Sequence, residues 1–365
     1  MPHFNDISQY SYVPETKENL DWADLPSIDL SKYGTEEGKN ELAAQLIEAI
    51  RTKGFFYVIG HGIPQERIDR QYSLGNAFYN LPGEEKLKYI ADLENGGYTG
   101  YRPGGRRLLD GGVYDRTEVY NLRTTGGHMD NHPLPQLIQD NLEELEAFGK
   151  ELHDKILDPL FVLTAIALEL PHDFFTKLHR YESNHESHLR YMKYSKFPKE
   201  EADKITDGLQ SPGHTDLGTY TLLFRQPVAA LQIKDHKTGA WKWAKPLDGS
   251  FTVNSCDTFS FLTGNYIKST IHRVSLPPKD QRDVDRLGLL YFSRPQNDLV
   301  LSTVDSPVLK REGYTQNEFE RGGHKVPTMA EFTKLKQTWQ QKGVRSYKET
   351  DGQEILPGFV GRRHN

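Results

Sequence analysis

Two histidines and one aspartate set the chemistry this chain can do. His214 and Asp216 flank a single residue in Gly213-His214-Thr215-Asp216, and His272 lies far downstream in Ser269-Thr270-Ile271-His272-Arg273-Val274. Two imidazoles and one carboxylate fill one face of an octahedral non-haem Fe(II) and leave the other positions open for oxygen and substrates. With neutral imidazoles, that set leaves a charge of about +1 on a divalent ion, which attracts an anionic co-substrate. A His-x-Asp spacing suits a strand or strand-end turn, where residues i and i+2 point the same way. His272 must then be delivered by a distant strand.

His-x-Asp alone is a weak signal, and the chain contains a second one. His128-Met129-Asp130 repeats it, and His188 lies about as far beyond Asp130 as His272 lies beyond Asp216. Spacing does not choose between the two sets, but context does. His128 follows Thr124-Thr125-Gly126-Gly127 and precedes Asn131-His132-Pro133, which reads as a loop. His214 leads directly into a strand, read from Thr219-Tyr220-Thr221-Leu222-Leu223-Phe224, and His272 sits inside one. The favoured set is His214, Asp216 and His272.

The rest of the chain must hold these residues in place. Its 365 residues suggest one large unit or two tightly packed ones. With 36% hydrophobic and 26% charged residues, a sizeable core is possible. A net charge of -6 and a pI near 6.2 disfavour a nucleic-acid partner. Cys256 is the sole cysteine, so no intrachain disulfide can form, consistent with a reducing compartment. The N-terminus lacks a basic segment followed by an apolar run. The longest apolar stretch, 161–170, is interrupted by Thr164 and Glu169 and is too short to span a bilayer. The expectation is a soluble cytoplasmic protein with no membrane partner. Its oligomeric state is left open.

Periodicity gives the elements. Residues 1–24 are polar and read as a loosely attached arm. A short strand is expected at 25–30, a helix at 41–53, a glycine-bounded strand at 54–62 and a helix after Pro64. Residues 96–113 are rich in glycine and carry Arg102, Arg106 and Arg107. They read first as a mobile surface loop, and alternatively as a lid that contacts an anionic substrate group. A long helix is expected at 141–170, closed by Pro171. From 188 to 295 the pattern changes to short strands near 187–196, 219–226, 229–234, 240–246, 251–262, 268–276 and 286–293, with a hairpin tip at Lys237-Thr238-Gly239. Such spacing argues for a barrel or jelly roll. Thr328-x-x-Glu331 is a capping box that starts one more helix.

Over residues 25–300 the chain resembles the isopenicillin N synthase-like Fe(II)/2-oxoglutarate-dependent dioxygenases. The likeness is carried by Leu25-Pro26-Ser27-Ile28-Asp29-Leu30, by Gly54-Phe55-Phe56 with His61-Gly62-Ile63-Pro64, and by Leu81-Pro82-Gly83-Glu84-Glu85-Lys86. It continues through His132-Pro133-Leu134-Pro135, His214-Thr215-Asp216-Leu217-Gly218-Thr219, Leu231-Gln232, Val253-Asn254 with Asp257, and the run around His272. The resemblance implies an α+β fold: a distorted double-stranded β-helix (jelly roll) with flanking N-terminal and C-terminal helices. Its expected divisions are an arm at 1–24, a helix and strand region at 25–180, the jelly-roll core at 181–300 and a tail with a helix at 301–365.

The resemblance further implies His214, Asp216 and His272 as iron ligands and Arg286 as the anchor of the distal 2-oxoglutarate carboxylate. Planar guanidinium suits that role because it can bond both oxygens. Two positions depart from the family pattern. Gly288 stands where the family has serine, removing one hydroxyl donor. Met192-Lys193-Tyr194 stands where the family has Asn-x-Tyr, keeping only Tyr194 as a second co-substrate contact. Arg102, Arg190 and Phe292 are candidate substrate contacts. The implied reaction uses Fe(II), 2-oxoglutarate and O2 to hydroxylate, desaturate or cyclise a small molecule, in specialised metabolism, releasing succinate and CO2. Two alternatives stay open: an oxidase of the same fold that does not use 2-oxoglutarate, and a jelly-roll binding protein without catalysis.

Overall fold

The computed structural model describes residues 7–124, 132–341, 345–349 and 351–361. The thirteen strands that build the two large sheets and their margin are β1 (Ser27–Asp29), β2 (Phe55–Ile59), β3 (Gly100–Arg102), β4 (Arg107–Leu108), β5 (Thr117–Arg123), β6 (His188–Tyr194), β7 (Leu209–His214), β8 (Tyr220–Phe224), β9 (Leu231–Lys234), β10 (Trp241–Trp243), β11 (Phe251–Ser255), β12 (His272–Ser275) and β13 (Arg286–Phe292). One sheet has eight strands in the order β1-β2-β11-β8-β13-β6-β5-β3, and a second has four in the order β10-β9-β12-β7. These are the two faces of the jelly roll. The larger sheet takes β1, β2, β3 and β5 from the first third of the chain, so that region completes the sheet as well as covering it.

Period-two alternation on β6 and β13 decides what faces where. Leu189 and Tyr191, with Leu289 and Tyr291, join the main core beneath the helices Glu36–Thr52, Gln65–Tyr79 and Asp158–Ala167. The intervening Arg190, Met192 and Tyr194, with Arg286, Leu290 and Phe292, face a cavity on the opposite side. Register aligns Arg286 with Tyr194, Gly288 with Met192 and Leu290 with Arg190.

Several expectations change at their edges. The first helix begins earlier, at Glu36, because the Thr35 side chain accepts from Gly38 N and caps it. The helix expected over 141–170 is interrupted by a π turn at His153–Leu157 and ends at Ala167; Glu169, at φ 53°, turns the chain before Pro171 is reached. Residues 251–262 are a strand only to Ser255, and then the helix Asp257–Leu262. His214 ends a strand, β7, instead of leading directly into one. The Thr328–Glu331 box forms, with Thr328 N donating to Glu331 Oε2 at 2.9 Å and Glu331 N to Thr328 Oγ1 at 3.3 Å.

The described part of the N-terminal arm is strapped down, not loose. Tyr10 stacks on Tyr72 at 5.4 Å, Thr16 Oγ1 donates to Asp280 at 2.7 Å, and Trp22 pairs with Trp243. Residues 96–113 are also built into the fold and are not only a surface loop: β3 is the sheet edge, and Leu109 and Val113 are buried with Phe197. Among the described residues no helix is long and apolar enough to cross a membrane.

Gly75 shows how tightly the helix Gln65–Tyr79 sits on the floor of the site. A Cβ there would lie 2.7 Å from Tyr191 Cδ1 on β6. In an exposed helix, glycine to alanine stabilises by up to about 1 kcal/mol. Here overpacking reverses the sign, and Gly75→Ala is expected to destabilise by about 1–3 kcal/mol in urea unfolding.

Candidate metal centre

The antiparallel pairing of β7 and β12 places His272 directly opposite His214. Asp216 follows two residues beyond the end of β7, in a turn held by backbone bonds from Asp257 N to Asp216 O at 2.9 Å and from Thr258 N to Gly218 O at 3.0 Å. Buried Lys336, on the helix Met329–Gln341, pairs with Asp257 and donates to Thr215 O at 3.0 Å, so it pins the residue between the two donors.

The three side chains offer donor atoms that all lie within 4.8 Å of one another. Asp216 Oδ1 is 3.9 Å from His214 Nε2 and 3.7 Å from His272 Nε2. His214 Nδ1 lies 2.9 Å from Pro212 O, and His272 Nδ1 lies 3.0 Å from Thr270 O. A carbonyl partner requires the proton on Nδ1, leaving the Nε2 lone pair for a metal. The other carboxylate oxygen, Asp216 Oδ2, accepts from Thr221 Oγ1 at 2.9 Å and Asn254 Nδ2 at 3.0 Å, which aims Oδ1 at the histidines. Burial alone would raise the Asp216 carboxyl, but His272, His214 and those two hydrogen bonds outweigh it and hold it at about 2. The donors therefore fit a divalent cation in atom type, protonation and spacing. The competing His128 and Asp130 lie outside the described residues. His188 packs between Tyr98 and Phe292, with Nδ1 at 3.0 Å from Glu186 O.

The triad opens into a cavity of about 1050 Å³, its mouth included. Arg286 and Tyr194 line it, with the guanidinium carbon 5.0 Å from the Tyr194 ring centre. Arg286 Nε is buried without a hydrogen-bond partner, and burial lowers the pKa of the guanidinium. A Cβ on Gly288 would stand 3.4 Å from both Nε2 and Oε1 of Gln226, so the space beside the missing serine is open to a side chain but faces that amide. Gln226 Nε2 donates to Tyr72 OH at 2.9 Å, while its Oε1 is unpartnered.

Arg190 and Phe292 line the cavity, as expected. Arg102 does not: it is buried against Asp115 at 3.6 Å and donates to Thr117 O at 2.9 Å, so its charge is used in the sheet edge. Its neighbour Arg107 lines the cavity instead, with Arg294 and with Gln337, Gln340 and Gln341 of the helix Met329–Gln341. The orienting role of Asn254 and Thr221 was likewise not anticipated. Asn254 stood within a recognised motif; nothing in the sequence marked the three glutamines.

Comparison with known proteins identifies the class. Residues 25–144 match the model of the non-haem dioxygenase N-terminal region known from morphine synthesis, and residues 183–295 match that of the 2OG-Fe(II) oxygenase superfamily. A Dictyostelium discoideum protein described as a probable iron/ascorbate oxidoreductase is 32% identical, with 76% of this chain and 83% of that one aligned. A 2-oxoglutarate-Fe(II) type oxidoreductase of Emericella nidulans is 30% identical over 68% of this chain and 74% of its own. A full-length Neurospora crassa protein, solved with alpha-KG and thymine, superposes with a TM-score of 0.74 at 22% identity, covering 88% of this chain and all of that one. The chain belongs to the 2OG-Fe(II) oxygenase superfamily. Its activity is that of a 2-oxoglutarate-dependent Fe(II) dioxygenase, an oxidoreductase with O2 as co-substrate.

Asp216→Ala is expected to abolish stoichiometric Fe(II) uptake while the fold persists. Asn254→Ala, which frees the carboxylate to swing, should weaken uptake roughly 10–100-fold. Anaerobic iron titration followed by metal analysis measures both.

Proposed function

We propose that His214, Asp216 and His272 hold the catalytic Fe(II), that Arg286 with Tyr194 holds the distal carboxylate of 2-oxoglutarate, and that the remaining cavity takes a small molecule in specialised metabolism. The observation that carries this reading is the buried Arg286 guanidinium, which faces the same cavity as the triad and has an unpartnered Nε. When bound, the iron supplies the oxidising chemistry: 2-oxoglutarate is decarboxylated to succinate and CO2 as the substrate is oxidised. The chain's own share is positional. Arg286 fixes one end of the co-substrate by paired, charge-assisted bonds. Tyr194, opposite it in register, limits how that end can turn. Leu223, Leu231 and Val274 line the cavity with apolar surface, which keeps water from the reacting centre.

A small-molecule substrate is supported by the cavity beside the triad and by fold neighbours solved with small molecules. The Neurospora crassa protein holds thymine, and a second neighbour, JOX2, was solved with 2OG, Fe and JA, at a TM-score of 0.63 and 24% identity. Substrate-stimulated succinate release from the Fe(II) protein, screened over small-molecule libraries and followed by product mass, tests the reading as a whole. Iron-loaded protein that oxidises a substrate without consuming 2-oxoglutarate would return the assignment to a co-substrate-independent oxidase.

A charge-assisted bond to the distal carboxylate is worth roughly 1.5–3 kcal/mol, so Arg286→Ala should weaken 2-oxoglutarate by about tenfold to over a hundredfold. Arg286→Lys should restore only part, because a point charge cannot form the bidentate pair. Gly288→Ser should change affinity by less than about fivefold, the scale of one neutral hydrogen bond, because the new hydroxyl meets Gln226 Oε1 first. Titrating 2-oxoglutarate into the anaerobic Fe(II) protein and following the metal-to-ligand absorption reads all three.

A further inference from the structure

We propose that the cavity holds a second anion site, formed by Arg190, and that the oxidised substrate is an organic acid whose carboxylate binds there. This rests on the assignment of Arg286 to 2-oxoglutarate and extends it to the other ligand.

Four arginines line the cavity, and their partners sort them. Arg294 is matched: its Nη1 donates to Tyr98 OH at 2.6 Å and to Glu186 Oε2 at 3.1 Å. Arg286 is taken by the co-substrate. Among the described residues, neither Arg190 nor Arg107 has a carboxylate within ion-pair distance. Arg190 is instead steered by neutral groups. Its Nε donates to Asn121 Oδ1 at 2.7 Å, Asn121 Nδ2 donates in turn to Tyr98 O at 2.7 Å, and the guanidinium carbon sits 4.4 Å from the centre of the Phe292 ring. One edge of the fork is thus spent on orientation, while the terminal nitrogens stay available to the cavity. That is how a bidentate carboxylate receptor is prepared.

The charge balance points the same way. The two carboxylates of 2-oxoglutarate match the residual charge of the metal site and Arg286. Asp216 is already counted in the metal site, so among the described residues Arg190 has no carboxylate of its own. Burial, opposed chiefly by Asp216, pushes Arg190 down to about 10. Its guanidinium therefore carries a desolvation cost that an anionic ligand would relieve.

Position separates this site from the co-substrate anchor. Arg190 and Tyr194 are four residues apart on β6, about 13 Å at some 3.3 Å per residue. Arg190 lines the same cavity as His214, Asp216 and His272. Phe292 and Leu290 beside it offer apolar surface to the body of an acid.

The test uses the anaerobic Fe(II)·2-oxoglutarate protein and matched probes: phenylacetate with phenylacetamide, cinnamate with cinnamamide, and octanoate with octanamide. Binding is read from perturbation of the metal-to-ligand absorption and from calorimetry. At least one acid is expected to bind tenfold or more tightly than its amide. Arg190→Gln should remove most of that preference, and Arg190→Lys should restore part of it. The inference is overturned if no acid is preferred over its amide, or if the preference survives in Arg190→Gln. Because acid and amide are first compared on the wild-type protein, the result does not depend on any variant folding. The preceding 2-oxoglutarate titration separates the two failures: no co-substrate binding defeats the Arg286 assignment, whereas co-substrate binding without acid preference defeats the second anion site alone.

Discussion

The pairing of β7 with β12 is the constraint on which the rest depends. It sets His214 against His272 and brings both within 4 Å of a carboxylate two residues past the strand end. Three polar side chains gathered in a half-buried space would each lose hydration without return. The structure compensates locally. Two backbone carbonyls take the imidazole protons, and Thr221 and Asn254 take the carboxylate oxygen that does not face the histidines. What is left outward is a set of lone pairs and one negative charge, an arrangement whose natural complement is a cation.

Much of this could be read from the sequence because strands advertise themselves by composition. The β-branched and aromatic runs located β6, β8, β9, β11, β12 and β13, and His-x-Asp gave two of the donors. β7 was harder to see, because Leu209-Gln210-Ser211-Pro212-Gly213-His214 contains proline and glycine and has low strand propensity. It is a strand because it lies at a sheet edge and pairs with β12 alone. The helix Asp257–Leu262 was hidden for the opposite reason: Phe259, Phe261 and Leu262 look like strand residues, and tertiary burial overrides propensity there.

The arginines show where pattern reading stops. Arg102 and Arg107 stand in the same glycine-rich segment and differ in role only because of what each meets. Asp115 lies beside Arg102 and takes up its charge; Arg107 meets the cavity. Sequence distance to Asp115 does not separate the two cases, since the Asp115 carboxylate also accepts from the backbone of Arg106 and Arg107. Arg190 was legible by its alternation with Met192 and Tyr194, but its lack of an ion-pair partner among the described residues belongs to the folded state.

The tether from Lys336 to Thr215 and Asp257 links the metal turn to a helix that comes well after β13 in the chain. All three donors and Arg286 precede that helix in the chain, whereas the wall formed by Gln337, Gln340 and Gln341, and the ammonium that steadies Thr215, come from it. The geometry of the donor turn is therefore completed from outside the jelly roll. Asp257 is buried beside that turn, and the ammonium of Lys336 is what offsets the cost of burying it.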